Sequence, residues 1–105
     1  MSSKIVTLRI PPELDDQLEV VGKEIGLSKS AMLRVAIIKY LDLDDIRDFS
    51  IVFVDSKHSR RINLKLSPIL QKIVENQSAK LNTSVNKLII YACQKIVDHY
   101  ADFLA

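Results

Sequence analysis

The sequence repeats itself at an interval of 56 residues, and this repeat limits the possible folds more than any other feature. Without a gap, KIVTLRIPPEL at residues 4–14 aligns with RRINLKLSPIL at 60–70, and GLSKSAML at 26–33 aligns with NTSVNKLI at 82–89. A unit of about 40 residues is too small to bury its apolar side chains alone. The chain is therefore predicted to form two similar units that share one core.

Each copy opens with a predicted β-strand, because apolar and polar residues alternate there. The positions expected to face the core are Val6, Leu8, Ile10, Ile62, Leu64 and Leu66. The positions between them face the other way, and they are Ile5, Thr7, Arg9, Arg61, Asn63 and Lys65. Since a lone strand has no hydrogen-bonding partner, the two strands are expected to pair antiparallel as a two-stranded ribbon.

Two helices are predicted after each strand. The first begins at a proline and ends at Gly26 or Asn82, both of which tolerate a left-handed cap, and the second begins after Ser28 or Ser84. In the first copy, the buried stripe of the first helix is expected to be Leu14, Leu18, Val21 and Ile25. The second helices are apolar on most sides, which is typical of helices at the centre of a core.

The predicted fold class is mainly α with a two-stranded antiparallel β-ribbon, an intramolecular pseudo-dimer in the order β-α-α-linker-β-α-α. The first unit is assigned to residues 1–42, the linker to 43–59 and the second unit to 60–105, with both units in one folded domain. The linker contains the apolar run Ile51–Val54, which is rich in strand formers. One interpretation is that this run packs over the core or forms an extra strand at 50–54. The alternative is that it forms an exposed edge, which pairs with another chain along DNA.

The net charge is only +2, but its distribution is uneven. Residues 1–42 contain six Lys and Arg residues and six Asp and Glu residues. Residues 60–105 contain seven Lys and Arg residues but only three Asp and Glu residues. A basic second half indicates an anionic partner. No run of residues approaches the roughly 18 apolar residues of a membrane span. The start of the sequence, MSSKIVTLRI, does not have the pattern of a signal peptide. Cys93 is the single cysteine and therefore forms no internal disulfide. A cytoplasmic protein without a membrane partner is expected.

These patterns resemble the ribbon-helix-helix family of DNA-binding proteins, the MetJ/Arc superfamily. VTLRIPPEL followed by GLSKSAML is similar to the plasmid copy-number repressors of that family, and GLSKSAM is the most specific string. The second copy has LNTSVNKL in place of the Gly-Leu-Ser turn, so its match depends on the 56-residue register. Two tandem units resemble the conjugation accessory proteins of the TraY type. The resemblance implies that the ribbon reads bases in the major groove and that each second helix starts at a phosphate.

The predicted base contacts are the outward side chains of the ribbon: Ile5, Thr7, Arg9, Arg61, Asn63 and Lys65. Arg and Lys can donate to guanine, Asn can pair with adenine, and Thr and Ile can contact a thymine methyl group. The alternative is an ordinary solvated sheet face. Because the two strands differ in sequence, the expected DNA site is not palindromic.

The predicted phosphate contacts lie at the starts of the second helices and of the strands: Lys4, Ser28, Lys29, Ser30, Arg60, Ser84, Val85, Asn86 and Lys87. Free backbone N–H groups and the helix dipole attract anions at a helix start. A serine there also serves simply to begin a helix. About six such contacts would make binding fall steeply with salt.

The sequence offers no residues for catalysis. His58 and His99 have no carboxylate or cysteine at ligand spacing, so no metal site is predicted. Asp15 and Asp16 are interpreted as solvated charges, and Cys93 as a small buried hydrophobe. We therefore expect neither an enzyme nor a cofactor.

The predicted partner is double-stranded DNA with short direct or inverted repeats, along which chains associate with one another. The first interpretation is a transcriptional repressor of a plasmid or another mobile element. The second is an accessory protein at a transfer origin, with a relaxase as partner. A third is an antitoxin that binds a protein through Tyr100, Phe103 and Leu104. A further arrangement, in which each unit pairs with its counterpart on another chain, stays open.

Overall fold

The computed structural model describes residues 3–50 and 57–104, apart from the side chain of Leu104. In chain order the elements are β1 (Lys4–Ile10), α1 (Pro12–Ile25), α2 (Lys29–Tyr40), β2 (Arg60–Leu66), α3 (Pro68–Leu81) and α4 (Val85–Leu104). Four helices and a two-stranded antiparallel sheet confirm the prediction of a mainly helical fold with a β-ribbon. Ser50 is in no strand, and the rest of the possible extra strand, residues 51–54, lies outside the described residues.

The ribbon pairs β1 with β2 in a register that runs from Lys4 opposite Leu66 to Ile10 opposite Arg60. Its core-facing side is apolar, and Leu8, Ile10, Leu64 and Leu66 have no solvent exposure. Val6 and Ile62, on the same side of the ribbon, are half-buried. The alternation in the sequence therefore predicted the inner face of the ribbon correctly.

The helix boundaries follow from residues that fix the local backbone. Gly26 ends α1 at φ 83°, and Asn82 ends α3 at φ 50°, so both adopt the left-handed conformation that was predicted for them. Ser28 begins α2 by accepting a hydrogen bond from the N–H of Ala31. Ser84 begins α4 in the same way, and its Oγ accepts from the N–H of Lys87 at 3.1 Å.

The core lies between the ribbon and the four helices, with α2 packed mainly against α4. From α2 it takes Met32, Leu33, Ala36 and Ile37, and from α4 it takes Leu88, Ile89, Ile90, Tyr91, Ala92, Cys93, Ile96 and Val97. Leu14, Leu18 and Val21 of α1 are buried as predicted. Ile25 is 39% exposed, so its assignment to the buried stripe was wrong. It is the last residue of α1, and the left-handed Gly26 turns the chain away directly after it.

The chain after α2 packs back onto the core over the part that the structure describes. Ile46 is buried, and the ring of Phe49 meets the ring of Tyr91 edge-on at 5.3 Å. The side chain of Gln77 in α3 donates to the carbonyl of Leu41 at 3.0 Å and to that of Leu43 at 2.6 Å. These contacts hold residues 41–49 against α3 and α4. Among the described helices, none has the length and apolar character needed to span a membrane.

Candidate nucleic-acid interface

The outer face of the ribbon brings together all six predicted base-contacting residues. Every one of them is exposed, and the register places Ile5 opposite Lys65, Thr7 opposite Asn63, and Arg9 opposite Arg61. Because the partner positions of a strand pair lie about 5 Å apart, the six side chains form one compact patch. Ile5, at 64% exposed, is the apolar member of an otherwise polar surface.

A hydrogen bond at the centre of this face orients one of the polar groups. The hydroxyl of Thr7 donates to Oδ1 of Asn63 across the strands at 3.0 Å. The bond leaves both N–H donors of Asn63 and the second lone pair of its Oδ1 available. Asn63 therefore keeps the donor and acceptor that a bidentate contact with adenine requires, on a side chain that Thr7 already holds in place.

Positive charge is concentrated at one end of the face. Arg9 and Arg61 lie directly opposite each other, an arrangement that is unfavourable for like charges in a sheet. Neither guanidinium forms an ion pair with any residue in the described ranges 3–50 and 57–104. Two exposed, unpaired Arg side chains at one spot favour the approach of an anionic or acceptor-rich surface such as a guanine edge.

At the start of α4, Asn86 contacts protein backbone rather than facing solvent freely. Its Oδ1 accepts from the N–H of Arg9 at 2.7 Å, and its Nδ2 donates to the carbonyl of Arg9 at 3.0 Å. Asn86 stays a predicted phosphate contact, because these bonds use only one of the two N–H donors on its Nδ2. The two bonds also attach β1 to α4 behind the outward-facing side chain of Arg9.

Arg34 provides the corresponding attachment on the other strand, although no pattern in the sequence singles it out. Its Nε donates to the carbonyl of Lys65 at 3.0 Å. Each strand of the ribbon is thus hydrogen-bonded at its outer edge to one of the two central helices, α4 for β1 and α2 for β2. These bonds fix the backbone from which Arg9 and Lys65 project.

A buried carboxylate engages two of the predicted phosphate contacts. Asp15 is 5% exposed, and its oxygens lie 2.7 Å from Lys29 Nζ and 3.0 Å from Arg60 Nη1. The same Arg60 nitrogen lies 2.6 Å from Oδ1 of Asp16. Burial alone would raise the pKa of Asp15, but the hydrogen bonds from Lys29 and Arg60 outweigh it and hold that pKa below its usual 3.8.

This cluster corrects one interpretation of the sequence. Asp15 is not a solvated charge, because it is buried on α1 beside the core residue Leu14. Lys29 and Arg60 stay predicted phosphate contacts, although each is bound to Asp15. A phosphate would have to compete with that carboxylate for both of them, and leaving Asp15 buried without a partner is costly.

The other predicted phosphate contacts differ in whether their side chains already bind another residue. Lys4 and Lys87 form no ion pair within the described part of the chain. Ser28 and Ser84 are exposed, and each uses one lone pair of its hydroxyl oxygen to begin its own helix. Their hydroxyl protons remain available for donation. Ser30 and Val85 are half-buried in the first turns of α2 and α4. They stay predicted phosphate contacts through the backbone N–H groups of those first turns.

Over the described residues, no group of three or more His, Cys, Asp and Glu side chains is arranged to hold a metal ion. Cys93 lies in the core of α4, and burial raises the pKa of its thiol above the usual value, which fits its interpretation as a small hydrophobe.

Comparison with known proteins adds one match to this geometry. Residues 4–44 match the model of the ribbon-helix-helix proteins of the copG family. The match covers β1, α1 and α2 and continues into the first residues after α2. Searches of curated proteins and of solved structures give no match.

Proposed function

Since residues 4–44 match the model of the ribbon-helix-helix family, whose members bind specific DNA sequences and regulate transcription, we propose that this protein reads DNA with the outer face of its ribbon. In this proposal β1 and β2 lie together in the major groove, which is about 12 Å wide and admits a two-stranded ribbon. The observation that supports it is the single exposed patch formed by Ile5, Thr7, Arg9, Arg61, Asn63 and Lys65.

The second half of the chain acts in this proposal as a second ribbon-helix-helix unit. What supports it is the order of elements, since a 7-residue strand and a 14-residue helix occur in each half before a further helix. Equivalent residues in the two halves are 56 positions apart, as in the sequence repeat. β2 then supplies to β1 the partner strand that a second chain would otherwise supply.

The proposed base contacts follow from the chemistry of each side chain. Arg9 and Arg61 donate to the O6 and N7 acceptors of guanines, and Asn63 pairs with an adenine. Thr7 supports Asn63 and presents its methyl group, while Ile5 contacts a thymine methyl group. Because Ile5 and Lys65 lie at one end and the two Arg residues at the other, the preferred site is not palindromic.

The proposed biological role is repression of transcription at a promoter of a plasmid or another mobile element. The transcriptional regulators of the matched family support this role. The tandem arrangement of two units supports a second candidate, an accessory protein that binds beside a transfer origin and assists a relaxase. In both roles the protein acts on DNA in the cytoplasm and several chains can bind neighbouring repeats.

The test is selection of DNA by the purified protein, followed by footprinting of the selected fragments at two salt concentrations. Wild-type protein should protect short sites, at a promoter for the repressor and beside a nick site for the accessory role. Arg61→Ala and Asn63→Ala each remove a side chain that hydrogen-bonds to a base. Each variant should therefore lower the preference for the selected site over other DNA by roughly 5- to 150-fold.

Lys23→Ala provides the matched control, because Lys23 is an exposed cation on the last turn of α1 that pairs with Glu19 on the same helix, away from the ribbon. This variant should select the same DNA as the wild type. Selection that is unchanged in both ribbon variants would show that the ribbon does not read bases. Absence of any selection by the wild type would refute the proposed function itself.

A further inference from the structure

We propose that the two ends of the ribbon have different tasks on DNA: one end reads guanines, and the other holds the phosphate backbone. The inference depends on the proposed function. The Arg60 end is the end of the ribbon where Ile10 pairs with Arg60, and the Lys4 end is the end where Lys4 pairs with Leu66. The protein would therefore bind a non-palindromic site in one fixed orientation.

The first step of the argument is the buried cluster at the Arg60 end. Asp15 contacts Lys29 at 2.7 Å and Arg60 at 3.0 Å, and Asp16 also contacts Arg60. Replacing Asp15 by a phosphate as the partner of these cations would leave a carboxylate buried and unpaired, which opposes the exchange. Lys29 and Arg60 are therefore withheld from the DNA backbone.

The second step is that the same cluster is missing at the Lys4 end. The 56-residue offset replaces Asp15 by Gln71, Lys29 by Val85 and Arg60 by Lys4. These three replacements line one cleft of about 240 Å³, and Nε2 of Gln71 has no hydrogen-bond partner among the residues that the structure describes. Without a carboxylate at position 71, Lys4 is not neutralised in the way that Arg60 is.

The third step is the charge around each end. Apart from the outward-facing pair Arg9 and Arg61, the Arg60 end has two cations that face three carboxylates, namely Lys29 and Arg60 with Asp15, Asp16 and Glu19. The equivalent positions at the Lys4 end hold two cations and one carboxylate, namely Lys4 and Lys72 with Glu75. Within the described residues neither of these two Lys side chains forms an ion pair. Counterion release on DNA binding is therefore expected mainly at the Lys4 end.

The fourth step is that the base-facing side chains show the opposite distribution. Arg9 and Arg61 form the pair next to the Arg60 end, whereas Ile5 and Lys65 form the pair next to the Lys4 end. Two Arg residues supply the donors that guanine O6 and N7 accept, whereas the other pair has one such donor, Lys65, and the apolar Ile5. The end with little free charge for the backbone thus has the stronger base-reading chemistry.

Two interference maps on the selected site test this division. Methylation of guanine N7 should block wild-type binding in one half of the site, and ethylation of phosphates should block it mainly in the other half. Arg61→Ala should weaken the guanine signals, and Lys4→Ala with Lys72→Ala should weaken the phosphate signals. These losses identify which half lies under which end of the ribbon.

Charge variants then test the cause. Asp15→Asn with Asp16→Asn should free Lys29 and Arg60, create phosphate signals in the guanine half and steepen the dependence of log affinity on log salt by about 0.9 to 1.8. Gln71→Glu should do the reverse by weakening the phosphate signals under the Lys4 end. Glu24→Gln, an exposed carboxylate on α1, is the control and should change neither map.

Because Asp15 is buried, circular dichroism must show that its variant is folded, and Gln71→Glu provides an independent test if it is not. Phosphate signals spread equally over both halves in the wild type would overturn the inference while leaving sequence-specific binding intact. Unchanged maps in Gln71→Glu would also overturn it. A wild type that selects no DNA would remove both this inference and the proposed function.

Discussion

Asn86 binds the backbone of Arg9 through both ends of its side-chain amide, accepting from the N–H at 2.7 Å and donating to the carbonyl at 3.0 Å. The two residues are 77 positions apart, on α4 and β1. An amide side chain thus pairs with the outer edge of a strand as a neighbouring strand would. The bonds hold the backbone of the exposed Arg9 in a fixed position relative to the start of α4.

Asn86→Ala should lower the free energy of unfolding by roughly 1–3 kcal/mol, because it removes two hydrogen bonds together. Chemical denaturation measures this change. Ser30→Ala is the matched control, since Ser30 occupies the equivalent position in the first half, and its replacement should cost much less. Equal stability losses in the two variants would mean that the Asn86 bonds contribute nothing.

Asp15 should make the free energy of unfolding depend on pH in the acidic range. Its pKa in the folded protein is below 3.8, because hydrogen bonds from Lys29 and Arg60 outweigh the opposing effect of burial. The stabilisation is therefore fully present above pH 3.8 and is lost as the pH falls through the lower folded value. Urea unfolding of the wild type should show this loss on acidification.

Asp15→Asn should flatten the same pH profile, whereas Glu24→Gln, which removes an exposed carboxylate from α1, should leave it almost unchanged. A profile for Asp15→Asn that parallels the wild type would contradict the role given to this ion pair.

Tyr91→Phe should loosen the chain that follows α2. The Tyr91 hydroxyl donates to Oδ1 of Asp48 at 2.5 Å, and Lys95 binds the other oxygen of the same carboxylate. Burial, and then the bond to Asp48, raise the pKa of Tyr91 above its usual 10.0, so the hydroxyl stays protonated and donating at neutral pH. Its removal should cost about 1 kcal/mol and speed up proteolysis near residue 48.

Limited proteolysis of Tyr91→Phe and of Tyr100→Phe measures this effect, since Tyr100 lies on the same helix and does not contact Asp48. Both variants keep the aromatic ring, so packing against Phe49 is preserved in the first. Similar cleavage rates in the two variants would exclude a specific role for the Asp48 bond.

The free protein should sediment as one chain of 11.9 kDa, because β1 has its partner strand within the same chain. The alternative, in which each half pairs with its counterpart on another chain, requires a stable dimer with two ribbons. Sedimentation velocity over a range of concentrations separates the two. A monomer would exclude the arrangement with two ribbons, whereas a dimer that persists on dilution would contradict this prediction and leave that arrangement open.

The sequence predicted those features that depend on local pattern. Strict alternation in β1 and β2 identified the outer face, and Gly26 and Asn82 marked the ends of α1 and α3 correctly. Such features follow from the conformational preferences of a few adjacent residues. The strand pairing also followed, because a strand needs a partner and the repeat offered one.

The contacts between distant residues could not be predicted in this way. Asp15 had no visible partner in the sequence, since Arg60 is 45 positions away and reaches it only once the ribbon has formed. One signal was nevertheless present, because Asp15 directly follows Leu14 on the buried side of α1 while its equivalent, Gln71, is uncharged. A carboxylate at such a position indicates a buried ion pair.

Joining both strands of the ribbon in one polypeptide has a consequence for how the protein can evolve. When two identical chains form a ribbon, every mutation appears twice, so a change that improves one half of the interface is imposed on the other half as well. Here Thr7 and Asn63, or Asp15 and Gln71, are encoded separately although they occupy equivalent positions. Each half of the outer face of the ribbon is thus open to selection on its own, and the chemistry of that face can change one strand at a time.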